Sequence, residues 1–253
     1  MPHVVHAGVR IHYSVVGEGP PLVLHHGSAS NGASWIHHGY VKPLREHYRL
    51  ILLDARGHGQ SDKPRTREAH SLALRVGDVT AVLDALELPR AHFFGYSMGG
   101  WIGFGMARHA PSRLESLVIG GAHPFAGPVI QNFLPRESHA AEELDEQTFV
   151  SALERVLGEP VSGETRRFLV RNDWRAVLAS LEERVALDDV LPRIAVRTLL
   201  FSGSDDRRHE GACRAASQIR GAEFVSLPGQ GHLGALASAE YLLPRLLAFW
   251  RGR

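Results

Sequence analysis

Short apolar runs alternate with longer stretches of helical periodicity through the first half of the chain. Val9 to Val16 reads as a strand, and Pro21 to His25 as a shorter, more continuously apolar one, the mark of a buried strand. Arg49 to Leu53 is a compact apolar run ending at Asp54. Across 72–88 the spacing predicts a helix with Leu72, Val76, Val79, Leu83 and Leu86 on one side. A further short run from Ala91 to Phe94 closes at Gly95; a helix is predicted from Met98 to His109 and a strand from Leu114 to Ile119. Strands separated by helices need parallel crossovers, so the pattern predicts an α/β chain with a doubly wound, mostly parallel sheet.

After Gly121 the rhythm changes. From 123 to 191 the pattern is helical and polar, with Glu142, Glu143, Asp145 and Glu146 in one acidic patch and no strand-like run. Alternation resumes at Val196 to Phe201 and Glu223 to Leu227, and a final helix is predicted from about Leu236 to Trp250. The expected organisation is a core of 1–122 and 192–253 with 123–191 inserted as a helical cap. The alternative, two ordinary helices on the flank of the sheet, suits so long a connection less well.

Composition narrows the classes. The 253 residues are 44% hydrophobic and 22% charged, an ordinary globular mix long enough to bury a core without disulfides or a structural metal. Lys and Arg number 28 against 27 Asp and Glu, so no electrostatic case exists for nucleic acid or an anionic membrane. One cysteine, Cys213, excludes an internal disulfide and is compatible with a reducing compartment. No apolar stretch approaches the ~20 residues of a membrane span, and Met1 to Gly8 does not read as a signal peptide. The expectation is a soluble, cytoplasmic protein.

Gly95-Tyr96-Ser97-Met98-Gly99 matches Gly-x-Ser-x-Gly between an expected strand and an expected helix. That is the setting of a nucleophile elbow, where glycines let strand and helix approach around a turn that lifts the serine hydroxyl clear. A hydroxyl needs a base near neutral pH. Sixteen histidines are present. His3, His6 and His12 fall in or near the N-terminal strands, and His47, His70, His109 and His139 read as solvated. His232, in Gly229-Gln230-Gly231-His232, follows a strand at the same edge of the sheet as Ser97 and is the candidate base. An acid that orients it is expected after the 196–201 strand, at Asp205 or Asp206, one of which would be a turn or capping residue. His25-His26-Gly27-Ser28 opens a loop of small residues, and the Ser28 and Met98 N–H groups would make a two-donor oxyanion hole.

These residues resemble the α/β-hydrolase family over most of the chain, on its serine carboxylesterase and lactonase branch with a small helical cap. The His-Gly loop is similar to His26-Gly27-Ser28, and the Asp-x-Arg-Gly-x-Gly-x-Ser signature stands in full from Asp54 to Ser61. The late Gly-His is Gly231-His232, and family spacing from Gly203 implies Asp206 as the acid. Relatives often place prolines after the acid, whereas Arg207-Arg208-His209-Glu210 follows here. Asp54 to Ser61 carries no obvious chemistry and reads as a turn supporting the oxyanion loop.

The resemblance implies a Ser97–His232–Asp206 triad that cleaves esters or lactones without metal or other cofactor. Adjacent histidines such as His25-His26 point to opposite faces of a strand, and no His-x-His-x-Asp-His pattern exists. Trp35, Phe125, Phe133, Leu134, Phe149 and Trp174 are candidates for the substrate pocket, with ordinary core packing the reading that their type favours. A carbon–carbon hydrolase, a cofactor-free perhydrolase or a non-catalytic ligand receptor would use the same residues.

Overall fold

The computed structural model describes residues 2–125, 146–161, 163, 166, 169–181 and 185–252. Eight strands form one sheet: β1 (His3–His6), β2 (Val9–Val16), β3 (Pro21–His25), β4 (Arg49–Leu53), β5 (Ala91–Tyr96), β6 (Leu114–Gly120), β7 (Arg197–Gly203) and β8 (Glu223–Leu227). Their spatial order is β1-β2-β4-β3-β5-β6-β7-β8. β1 and β2 are antiparallel to their neighbours and the rest of the sheet is parallel.

The helices are α1 (Ser34–His37), α2 (Val41–Leu44), α3 (Leu72–Ala85), α4 (Met98–His109), α5 (Glu146–Leu157), α6 (Trp174–Leu181), α7 (His209–Gln218), α8 (His232–Ala237) and α9 (Ala239–Arg251) among the described residues. Strand alternation sends side chains to two separate cores. Leu117 and Ile119 of β6 join α3 and α4 on one face, while Val118 joins α1, α2 and α9 on the other. A third apolar cluster lies off the sheet, where Phe149, Val150 and Leu153 of α5 meet Val177 and Leu181 of α6, joined by Ala29 from the β3–α1 loop. No helix among the described residues is long and apolar enough to cross a membrane.

Several elements differ from the sequence reading, the short helices α1 and α2 between β3 and β4 among them. β1 precedes the first expected strand; its four residues carry no apolar run, and a two-residue turn at Ala7 and Gly8, both at positive φ, folds it onto β2. α7 was not anticipated because small alanines, Ala212, Ala215 and Ala216, make up its buried side and the helix as a whole is polar. The C-terminal helix is two, α8 and α9, parted at Ser238. His70 also departs from expectation: it is buried, not solvated, and its Nε2–H donates to the Pro64 carbonyl at 2.8 Å. Glu142, Glu143, Asp145 and His139 lie outside the described residues.

Candidate active site

Ser97 stands between the end of β5 and the first residue of α4, with φ +54°. For a residue with a side chain that conformation costs roughly 1–3 kcal/mol and persists only where the surroundings enforce it. Here they do. The Ser97 N–H donates to the Gly120 carbonyl at 2.8 Å, and the Ser97 carbonyl accepts from Trp101 N–H at 3.0 Å. A Cβ on Gly95 would lie 2.2 Å from the Gly99 carbonyl oxygen, and one on Gly99 would lie 2.1 Å from that of His25. The two glycines of the motif are therefore demanded by backbone contact between strand, helix and the neighbouring strand end.

His232 opens α8, just beyond β8, and is almost fully buried. Its Nδ1 meets Asp206 Oδ2 at 2.6 Å. Asp206 follows β7; its Oδ1 accepts from Arg208, through the backbone N–H at 3.0 Å and Nη1 at 3.2 Å. Asp205 is exposed and instead accepts from the Ser204 hydroxyl at 2.8 Å. Burial pushes the Asp206 carboxyl up, but the His232 hydrogen bond and the charges of His232 and Arg208 outweigh it, and its pKa falls to about 2. Burial, then the Arg208 charge, hold the His232 imidazole below its ordinary pKa against the opposing pull of Asp206. A neutral ring bearing its proton on Nδ1 toward a carboxylate leaves Nε2 free to accept. Ser97 and His232 line the same cavity but are not hydrogen-bonded to one another here, a looseness common before substrate completes such a site.

Tyr96, between the glycine and the serine of the motif, is a contributor that sequence reasoning missed. Its buried hydroxyl donates to the His232 carbonyl, and its ring centroid lies 5.2 Å from that of the imidazole. The motif leaves this position open, so nothing in the pattern singled it out. Arg208 was also passed over; the four charged or imidazole residues that replace the expected prolines were its trace.

The β3 end supplies the other wall. A Cβ on Gly27 would lie 3.3 Å from Ser97 Cβ, which places the Gly27-Ser28 backbone against the serine. Neither the Ser28 N–H nor the Met98 N–H, the first of α4, is engaged by another group among the described residues. The loop is fixed from below. The Ala55 N–H donates to His26 Nε2 at 3.0 Å, so His26 carries its proton on Nδ1 and donates to the Gly27 carbonyl at 2.7 Å. Asp54 accepts from the Gly32 N–H and the Gln60 N–H, each at 2.7 Å. A Cβ on Gly59 would lie 2.2 Å from Asp54 Oδ2, and Ser61 Oγ donates to the Asp54 carbonyl. Arg56 is turned away, into a buried bidentate pair with Asp78. The Asp54 to Ser61 stretch thus braces the β3–α1 loop from the neighbouring strand end.

Above the cavity lie Leu153, Leu157, Leu169 and Leu181 from the α5–α6 segment, with Leu233 and Leu236 from α8. The aromatic candidates sit elsewhere. Trp35 packs into the core beneath α1, 4.6 Å from the Phe94 ring. Phe125 packs on the α3–α4 core under the Arg214 guanidinium. Phe149 and Trp174 belong to the α5–α6 cluster without facing the cavity. Phe133 and Leu134 lie outside the described residues. Aliphatic side chains thus occupy the wall where aromatics were expected. Among the described residues no three of His, Cys, Asp and Glu gather as a metal site would require.

Comparison with known proteins matches residues 20–170 to the family described as alpha/beta hydrolase fold. A non-heme chloroperoxidase of Streptomyces lividans is 30% identical, with 96% of each chain covered. The enol-lactonase of Burkholderia xenovorans LB400 superposes with TM-score 0.84 at 25% identity, covering 98% of this chain and 99% of that one. Est816, described as an N-acyl homoserine lactone degrading enzyme, superposes with TM-score 0.79 at 29% identity, covering 98% and 100%. With the sheet order, the strained serine and the family match in agreement, the chain belongs to the α/β hydrolase fold family.

Proposed function

We propose that the protein is a serine hydrolase of carboxylic esters or lactones, with Ser97 as nucleophile, His232 as base and Asp206 as the acid that orients it. The observation that carries this reading is the meeting of Ser97 at φ +54° with a 2.6 Å His232–Asp206 pair in one cavity. Ser97 Oγ attacks the carbonyl carbon as His232 Nε2 takes its proton. The Ser28 and Met98 N–H groups receive the developing oxyanion, each worth ~3–4 kcal/mol of barrier. Collapse expels the alcohol, protonated by His232, and leaves an acyl-enzyme. Water, activated by the same ring, then releases the acid. Asp206 keeps the proton on Nδ1 and stabilises the imidazolium as it forms.

The α5–α6 segment acts in this reading as a cap. Its leucines make the cavity wall apolar, which suits an acyl or lactone side chain of aliphatic character. The likeness to enol-lactone and homoserine-lactone enzymes supports lactones beside linear esters. A second reading, in which hydrogen peroxide rather than water relieves the acyl-enzyme, is favoured by the likeness to the Streptomyces chloroperoxidase.

The test is hydrolysis of short and medium p-nitrophenyl esters, γ-butyrolactone and N-acyl homoserine lactones, with wild type beside Ser97→Ala. Turnover that vanishes in Ser97→Ala is expected, and the preferred member names the substrate. Turnover retained by folded Ser97→Ala, or none by wild type across the panel, would overturn the reading. Peracid formed from an ester and peroxide would favour the second one.

A further inference from the structure

Glu159 takes no part in the chemistry above and does not face the cavity. It nevertheless reaches the histidine. α5 ends at Leu157, Gly158 turns the chain at φ +80°, and Glu159 is thereby directed at the β8–α8 loop. Its Oε1 accepts from the Leu233 N–H at 2.7 Å, one residue from the ring. A Cβ on Gly231 would lie 2.5 Å from Glu159 Oε2, so the glycine before His232 is what admits the carboxylate.

The same few residues of the cap also hold the acid loop. Arg207 Nη1 donates to the Arg155 carbonyl at 2.9 Å, and a Cβ on Gly158 would lie 2.6 Å from Arg207 Nε. Arg207 is the residue after Asp206. The turn itself is pinned by the Val161 N–H, which donates to Glu154 Oε1 at 2.9 Å. The end of α5 therefore grips both loops that carry the His232–Asp206 pair.

Charge matters as well as attachment. Facing His232 are Asp206 and Arg208 from the β7–α7 loop, the Tyr96 hydroxyl from β5, Glu159 from the cap, and His37 and His38 across the cavity. Arg208 disfavours the imidazolium, whereas Asp206 and Glu159 favour it.

We propose that Glu159 is a positioning residue through which the cap holds and balances His232. Its carboxylate ties the Leu233 N–H and sets a negative charge beside a ring that must become a cation during acyl transfer. Seating of the cap and readiness of the base are thereby linked in one side chain. The proposal rests on the ester or lactone reading for its role in turnover.

The experiment compares wild type, Glu159→Gln, Glu159→Ala and Arg208→Gln. It reads kcat, KM and the pH profile of kcat/KM on the best ester, the pH dependence of Ser97 labelling by a fluorophosphonate, and Tm. Gln keeps an oxygen for the Leu233 N–H and loses the charge; Ala loses both. Glu159→Ala is expected to lower kcat about ten-fold, the worth of one charge-assisted hydrogen bond, with KM little changed. Glu159→Gln should recover most of kcat while its acid limb moves to lower pH. Arg208→Gln should move that limb to higher pH, the opposite sign. Profiles of both Glu159 variants that overlay wild type would overturn the proposal. So would a Glu159→Gln shift of the same sign as Arg208→Gln, or a fall in Tm with kcat and pH profile unchanged. If wild type turns over no ester yet labels at Ser97, the ester reading fails and the labelling profiles decide the proposal alone. Absence of both turnover and labelling would remove both.

Discussion

Floor and roof of the cavity are held in different ways. The floor is the carboxyl edge of the sheet, where backbone meets backbone at Gly95 against Gly99 and Gly99 against His25, and Gly27 lies close on Ser97 Cβ. Beneath it runs a buried polar network through His26, Asp54, Arg56 and Asp78. The roof, α5 with α6, packs on itself in an apolar cluster that takes in only small pieces of the floor, Ala29 and Leu233, among the described residues, and is tethered by individual polar side chains. Asn172 Nδ2 donates to the Ala29 carbonyl at 2.7 Å, Arg75 reaches the Ser180 carbonyl, and Glu159 holds Leu233. A floor of interlocked backbone fixes reacting atoms, whereas a roof on side-chain tethers can change its lining without disturbing them. Under the proposed function, that division gives the reaction to the floor and the choice of substrate to the roof.

The comparison breaks first, if it breaks, at His232. His232→Ala should lower kcat by about 10⁴-fold or more on every substrate, long or short, with the fold intact by circular dichroism. A loss confined to some substrates would put this histidine in the roof's role. Asp206→Asn should cost about 10³- to 10⁴-fold, and Asp205→Asn, whose side chain is exposed and bonded only to Ser204, less than about two-fold. The reverse ranking would reassign the acid.

Arg56→Met takes the buried guanidinium from Asp78, which keeps His6 Nδ1 at 2.8 Å, and should destabilise by about 3 kcal/mol, read as a fall in Tm. Leu153→Ala in the roof should leave kcat on a p-nitrophenyl acetate probe near wild type while shifting the medium-to-short ester ratio of kcat/KM about ten-fold. A uniform loss across chain lengths would contradict the division.

Acid offers a finer cut. The floor buries neutral histidines, and burial takes His25 down to about 3 and His70 to about 4. The unfolded chain therefore takes up protons first, so stability is full above about pH 6.5 and declines progressively toward pH 4. Tm measured against pH should fall in that window, and a flat profile would remove these histidines from the account.

Much of the floor was legible because its rules are local. The glycines of the elbow, the alternation of β3 to β6 and the ordered spacing of Ser97, Asp206 and His232 are written in a few residues each. What stayed hidden depends on partners far along the chain. His70 looked solvated because the Gly57 turn that covers its ring and the Arg56 guanidinium that holds the Ala69 carbonyl come from the previous strand end, well upstream. Tyr96 and Glu159 act through single bonds to a loop about 136 and 74 positions away, which no period or motif announces. Of the aromatic residues named for the pocket, Trp35, Phe125, Phe149 and Trp174 pack elsewhere for a related reason. Trp35 follows the strand end closely enough to look exposed to the cavity, yet α1 turns it down onto Phe94 and Tyr40.

The proposed chemistry passes through a covalent acyl-enzyme on Ser97. Wild type and Ser97→Ala would each be mixed with p-nitrophenyl acetate, quenched in acid within the first turnover, and weighed intact before peptide mapping. The account expects one added acetyl group per wild-type chain, located on the peptide bearing Ser97 and absent from the variant. An acetyl group found elsewhere, or turnover by wild type with no adduct trapped at any time, would contradict it.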